Sequence, residues 1–199
     1  MSPTRRSDLH QSNLILGGVR SGKSRQAILL ATASALRGAR TGFLATARAA
    51  DGDMARRIAR HQGDRPKSWR TVEEPYQITE ACRSLTDRVD LIVLDCLTLW
   101  VSNLLLRGDA AEEVLAAADA LAGLVGERRA SLIIVSNEVG SGVHPPTEIG
   151  VRFQDTLGSV NQRLAAAADR VTLMVAGLPL LVKDRAPRTP SDARPPESP

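Results

Sequence analysis

The stretch LILGGVRSGKSRQA, Leu14 to Ala27, runs an apolar segment into two glycines and then into a single Lys followed by Ser. Gly17, Gly22, Lys23 and Ser24 fit G-x-x-x-x-G-K-[ST], set after an apolar strand-like run and before a helix-like one. No other feature limits the fold as strongly, because the spacing has a use only where a strand turns sharply into a helix. Glycines there let successive backbone N–H groups point inward at the positive end of the helix, forming a nest for phosphate. In such a P-loop, Gly17, Gly18, Val19, Arg20, Ser21 and Gly22 wrap a nucleotide's phosphates. Lys23 reaches the β and γ phosphates and the Ser24 hydroxyl ligates Mg2+. Lysine occurs only at Lys23, Lys67 and Lys183 among 26 basic residues, so Lys23 marks a place that calls for a compact ammonium.

Short apolar runs recur at Asn13–Leu16, Gly42–Thr46, Leu91–Asp95, Leu132–Ser136 and Val171–Val175, each of a length suited to a buried strand. Helical patterns lie between several of them, at Lys23–Leu36, Asp53–Gln62, Gln77–Val89, Ala110–Arg129 and Glu148–Ala168. The alternation predicts an α/β fold, P-loop NTPase-like and RecA-like. Its sheet is mainly parallel with helices on both faces, and ligands sit at the carboxyl ends of the strands. One domain over residues 13–183 is expected. It is flanked by a polar, disordered tail at 1–12 and a Pro/Arg-rich, disordered tail at 184–199, neither of which has the apolar surface to offset ordering.

The whole chain of 199 residues, 43% apolar, has the size of a single core. Its start lacks a signal-peptide run and no segment reaches the roughly 18 apolar residues of a membrane helix, so a cytoplasmic protein without a membrane span is expected. Cys82 and Cys96 are too few for a disulfide framework or zinc site, and both sit in apolar segments as buried thiols. The net charge of +4 is spread among interleaved acidic residues, and aromatics make up only 3%, which argues against a nucleic-acid partner.

A P-loop works with a carboxylate at the end of another strand, and DLIVLDCLTLW places Asp95 there. The same residue type is a favoured helix N-cap, and the two roles are compatible. No N-K-x-D guanine-recognition motif accompanies it, so the chain does not read as a signalling GTPase. Asn137 and Glu138, ending a further strand, are candidates for lining the phosphate site.

Taken in order, GGVRSGKSR, ATARAADGDMARRIARHQGDRPKSWRTVEEP, LDCLTLWVSNLL, SNEVGSGVHPPTEIGVRFQDTLGSVNQRLAAAADRV and AGLPLLVK give a specific pattern over Asn13 to Lys183. It resembles the bifunctional adenosylcobinamide kinase and adenosylcobinamide-phosphate guanylyltransferase family of cobalamin biosynthesis. The resemblance implies phosphorylation of adenosylcobinamide with GTP, or ATP, followed by GMP transfer from GTP through a guanylylated histidine to adenosylcobinamide phosphate. It assigns that histidine to His61. Nucleotide contacts fall on the P-loop, on Ala45, Thr46 and Ala47, on Gln62, Gly63, Asp64 and Arg65, on Glu73 and on Asp95, with Ser24 and Asp95 toward the metal. A homotrimer is also implied. Some members carry adjacent histidines where this chain has Arg60 and His61, and the fixed Arg65, Pro66 and Trp69 that follow set the alignment.

The chemistry of His61 stands on its own terms as well. The chain has three histidines, of which His10 falls in the N-terminal tail and His144 in the turn-rich GSGVHPP loop, read as an exposed ring. A neutral imidazole can attack an α-phosphate and pass the nucleotidyl group on. Met54, Ile58 and His61 share a helical face expected to point inward. Gly63 ends that helix, and a helix C-terminus favours imidazolium, so Arg57, Arg60 and Arg65 are needed to favour the neutral form. Two other readings remain at this level: a single-activity P-loop kinase for a small metabolite, and a nucleic-acid-binding ATPase.

Overall fold

The computed structural model describes residues 10–48 and 66–185. Seven strands form one sheet: β1 (Ser12–Gly17), β2 (Thr41–Ala45), β3 (Arg70–Glu73), β4 (Leu91–Asp95), β5 (Ser131–Val135), β6 (Arg170–Val175) and β7 (Leu178–Asp184). Their spatial order is β3-β2-β4-β5-β1-β6-β7. All neighbouring pairs are parallel except β6 with β7, which are antiparallel. The described helices are α1 (Lys23–Leu36), α2 (Ile78–Thr86), α3 (Leu97–Arg107), α4 (Ala111–Glu127) and α5 (Glu148–Ala167).

The two-residue period of each strand divides the core between the two sheet faces. Leu14, Leu44, Ile92, Leu94, Leu132 and Ile134 meet Trp100, Leu104, Leu121, Leu157 and Leu164 of the helices on one side. Ile15, Phe43, Val93, Ile133 and Val135 meet Ala27 and Ala31 of α1 on the other, where Trp69 stacks on Phe43 with ring centroids 6.5 Å apart. Small residues at 27 and 31 let α1 lie close to the sheet, which brings the P-loop at its N-terminus down onto the strand ends. Because β1 to β6 run the same way, the segments that follow β1, β2, β3, β4 and β5 all emerge at one edge.

The expected strands and helices among the described residues are present, two with the expected bounds and the rest with ends shifted by at most three residues. The stretch 53–62 lies outside the described residues. Three elements are additional: β3, α3 and β7. Ser12, assigned to the N-terminal tail, opens β1, where its N–H and hydroxyl both donate to Asp169 Oδ2 at 2.9 Å. Asp184, assigned to the C-terminal tail, ends β7 and pairs with Arg170 at 3.0 Å, and the Arg185 N–H donates to the Asp169 carbonyl. A backbone ladder therefore holds both positions in the sheet.

Asp169 is the joint between the first and last strands, buried and also ion-paired with Arg128. Replacing it with Ala strands the Ser12 donors and part of the Arg128 charge. We expect a loss of about 2–4 kcal/mol, read as a lower urea midpoint with an unchanged m-value. An unchanged midpoint contradicts this role.

Candidate functional site

The P-loop leaves β1 at Gly17, whose φ is +151°. A Cβ there lies 2.6 Å from both the Met174 carbonyl oxygen and the Ser21 Oγ, so only glycine fits between β6 and the turn. Gly22, at φ +95°, is the N-cap of α1, and no side chain among the described residues caps that helix end. The amides of its first turn thus face the strand edge with the positive end of the helix behind them. Within the turn, Lys23 Nζ donates to the Gly18 carbonyl at 2.6 Å and approaches Ser21 Oγ at 3.5 Å, while the Ser21 N–H donates to the same carbonyl. Gly18, Val19 and Arg20 are exposed and Ser24 is half-buried.

Burial pulls the Lys23 ammonium below the ordinary lysine value, an effect opposed by Cys96 and by the Asp95 carboxylate. That coupling crosses a strand, because β5 separates β1 from β4. Asp95 stands one residue before Cys96, the N-cap of α3, so it does not itself cap the helix. Asn137 and Glu138 follow β5 between them, and the Glu138 N–H donates to the Gly17 carbonyl at 3.1 Å.

Ala45 pairs in register with Asp95 on one side and Glu73 on the other, so Ala45, Thr46, Ala47 and Glu73 share the edge that carries Asp95. They lie away from the P-loop: β2 is three strand spacings from β1, ~14 Å, and β3 is four, ~19 Å. The candidate residues thus spread along one edge, with the P-loop after β1, Asp95 two strands away on β4, and Ala45 and Glu73 beyond it on β2 and β3. His61, Gln62, Gly63, Asp64 and Arg65 lie outside the described residues. His144 is exposed on the loop between β5 and α5, as its sequence context indicates.

A set of hydrogen bonds that sequence reasoning did not single out holds this edge in shape. Thr46 Oγ1 donates to the Cys96 carbonyl at 2.7 Å and accepts from the Cys96 N–H, tying β2 to β4. Thr98 Oγ1 accepts from the Asn137 N–H at 2.8 Å, tying α3 to the end of β5. Asn103 donates to the carbonyls of Thr46 and Pro75, and Asn161 to that of Asn137. Glu74 accepts from the N–H groups of Tyr76 and Gln77, turning the chain from β3 into α2. The only hint in the sequence is that polar residues interrupt apolar helices, as Asn103 does in LTLWVSNLLLR.

A glycine nest at a helix N-terminus, with a buried lysine inside it and a carboxylate two strands away, defines a P-loop nucleotide-binding protein of the RecA-like type. The flagellar accessory protein FlaH from Methanocaldococcus jannaschii has a related fold, with a TM-score of 0.52 and 13% identity over 87% of this chain and 78% of that one. The profile of the cobinamide kinase / cobinamide phosphate guanyltransferase family matches residues 13–182, and the chain belongs to that family. It is 45% identical to the bifunctional adenosylcobalamin biosynthesis protein CobP of Pseudomonas aeruginosa, covering 86% of this chain and 96% of that protein. It is 36% identical to the bifunctional adenosylcobalamin biosynthesis protein CobU of Escherichia coli, covering 85% and 98%.

Two tests follow from the geometry. Lys23→Ala removes a fixed ammonium from a water-poor cradle, and phosphoryl transfer should fall at least ~100-fold while circular dichroism is unchanged. A folded Lys23→Ala protein with near-parental rates contradicts the site. The thiols of Cys82 and Cys96 are each pushed up to about 12, chiefly by burial and further by Glu80 and Asp95 respectively. Both stay protonated in the folded protein, whereas unfolded thiols titrate near about 8.5. Their contribution to stability is present in full below that pH and is lost as pH climbs toward 12. Cys82 is buried as expected, whereas Cys96, expected to be buried too, is only half-buried at the strand edge. Iodoacetamide at about pH 8.5 should therefore leave Cys82 unmodified until the protein is unfolded; rapid alkylation of native Cys82 contradicts the burial account.

Proposed function

We infer that the chain is a bifunctional enzyme of cobalamin biosynthesis that phosphorylates adenosylcobinamide and then converts adenosylcobinamide phosphate to adenosylcobinamide-GDP. The observation that carries this is a P-loop whose buried Lys23 is bonded to the Gly18 carbonyl, in a chain whose match to the family spans residues 13–182. The relatives' names, each of them bifunctional, favour this over a single-activity kinase.

In the first reaction the P-loop amides and Lys23 hold the β and γ phosphates of GTP, with ATP as the alternative donor. The acceptor hydroxyl oxygen bonds to the γ-phosphorus, the bond to the β-phosphate oxygen breaks, and the hydroxyl proton is released. The Ser24 hydroxyl and the Asp95 carboxylate are hard oxygen donors suited to Mg2+, and the charge coupling between Lys23 and Asp95 fits a carboxylate near the cradle. A bound Mg2+ supplies positive charge to the phosphate oxygens. In the second reaction an imidazole nitrogen of His61 attacks the α-phosphorus of GTP and pyrophosphate leaves. A phosphate oxygen of adenosylcobinamide phosphate then displaces the histidine, joining the two phosphates. Ala45 to Ala47, Gln62 to Arg65 and Glu73 serve as further nucleotide contacts.

The assembly is proposed to be a homotrimer. Support comes from β7, an edge strand on which Leu180 and Val182 are exposed, since a long apolar edge calls for a cover. A cytoplasmic site of action is proposed too, and among the described residues no helix is long and apolar enough to cross a membrane. The catalytic unit is taken as residues 13–183, with no catalytic part for 186–199.

GTP labelled at the α-phosphate should leave acid-labile label on the protein before any acceptor is added, with release of pyrophosphate. His61→Asn should abolish that label and spare phosphorylation of adenosylcobinamide; full labelling of His61→Asn removes His61 from this role. Asp95→Asn should weaken nucleotide binding more with Mg2+ than without it, and equal losses in a titration contradict a metal-linked carboxylate.

A further inference from the structure

The antiparallel register sets Val175 opposite Leu178, so the two share a face and bracket the turn at Ala176 and Gly177. Both turn residues have positive φ, +51° and +86°, the geometry of a tight two-residue hairpin turn. This tip rests on the P-loop. The Gly177 N–H donates to the Ser21 carbonyl at 3.0 Å, and a Cβ at Gly22 lies 3.4 Å from Gly177 Cα. Beside the cradle, then, Val175 is 54% and Leu178 73% exposed, and Val19 of the P-loop itself is 81% exposed. Apolar side chains flanking a polar phosphate nest have no use in holding phosphate, which needs amides and cations.

The acceptor supplies the complement. Cobinamide is a large macrocycle whose rim carries methyl groups between amide-bearing arms, one of which ends in the hydroxyl to be phosphorylated. The ring is too wide for the cradle, so it must lie outside while the arm reaches in. We propose that Val175 and Leu178 at the tip of the β6–β7 hairpin, with Val19, form the seat of the acceptor's corrin ring and aim its hydroxyl at the phosphate held by Lys23. This rests on the P-loop being the donor site of the kinase reaction. The face is continuous with that site through the bond from Gly177 to Ser21, whereas Leu181, opposite Thr172, lies on the other face of the hairpin and farther along β7.

The experiment is steady-state kinetics of the intact protein with adenosylcobinamide and GTP varied separately, on the parent, Leu178→Ser, Val175→Ser and Leu181→Ser. All three side chains are exposed, so melting temperatures should stay close to the parent's. Leu178→Ser and Val175→Ser should each raise the KM for adenosylcobinamide roughly tenfold and leave kcat and the KM for GTP within about twofold. Leu181→Ser should leave the acceptor KM unchanged. An unaltered acceptor KM in Leu178→Ser overturns the proposal whatever the oligomeric state. So does an equal rise in Leu181→Ser, which assigns the effect to a change in the hairpin as a whole rather than to its tip. Failure of the donor reading itself is seen separately, as retained phosphorylation in Lys23→Ala.

Discussion

The structure turns on the absence of a side chain at Gly17. With 2.6 Å to both the Met174 carbonyl and Ser21 Oγ, any Cβ there drives β6 away from β1 or pushes the P-loop off its strand. The close approach that glycine permits has three results. It seats the turn against β6, it sets α1 with its N-terminus over the sheet edge, and it brings Lys23 into a buried position where its ammonium donates to the Gly18 carbonyl. A charge so placed is desolvated and held within the turn by the Gly18 carbonyl and, more weakly, by Ser21 Oγ.

Around this point the sheet edge is fixed by side chains that bond to backbone groups. Thr46 locks β2 to β4, Thr98 holds the end of β5, Asn161 reaches from α5 to the same segment, and Asn103 fastens the stretch after β2 to the one before α2. Each satisfies a backbone group at a strand end, where the ladder runs out and loops begin. These residues set where Asp95 and the amides around it stand.

Much of this was legible in the sequence, and the exceptions have identifiable causes. The buried strands β2, β4 and β5 are apolar nearly throughout, and the P-loop spacing marks the junction of β1 and α1. In contrast, β3 is a four-residue strand, exposed at three positions, with no apolar pattern of its own. The apolar run of α3 begins two residues after β4 ends, so strand and helix merge into a single stretch divided only by Asp95 and Cys96. β7 contains Pro179 and carries its leucines to the surface, a composition that fits an edge strand but reads equally as an apolar loop. The hydrogen bonds of Thr46, Thr98, Asn103 and Asn161 join residues 24 to 57 positions apart, and no local spacing announces them. Of the candidate site residues, the P-loop and Asp95 were placed by motif and strand position, while the ~14–19 Å that separates the P-loop from Ala45 and Glu73 follows only from strand order.

The most direct test of the central claim is a crystal structure of the protein with Mg2+ and a GTP analogue that cannot be hydrolysed. The triphosphate should lie in the Gly17–Ser24 turn, with Lys23 Nζ moved from the Gly18 carbonyl onto the β and γ phosphate oxygens and the hairpin tip still bonded to Ser21. A triphosphate bound elsewhere on the sheet edge, with Lys23 still donating to Gly18, would contradict it.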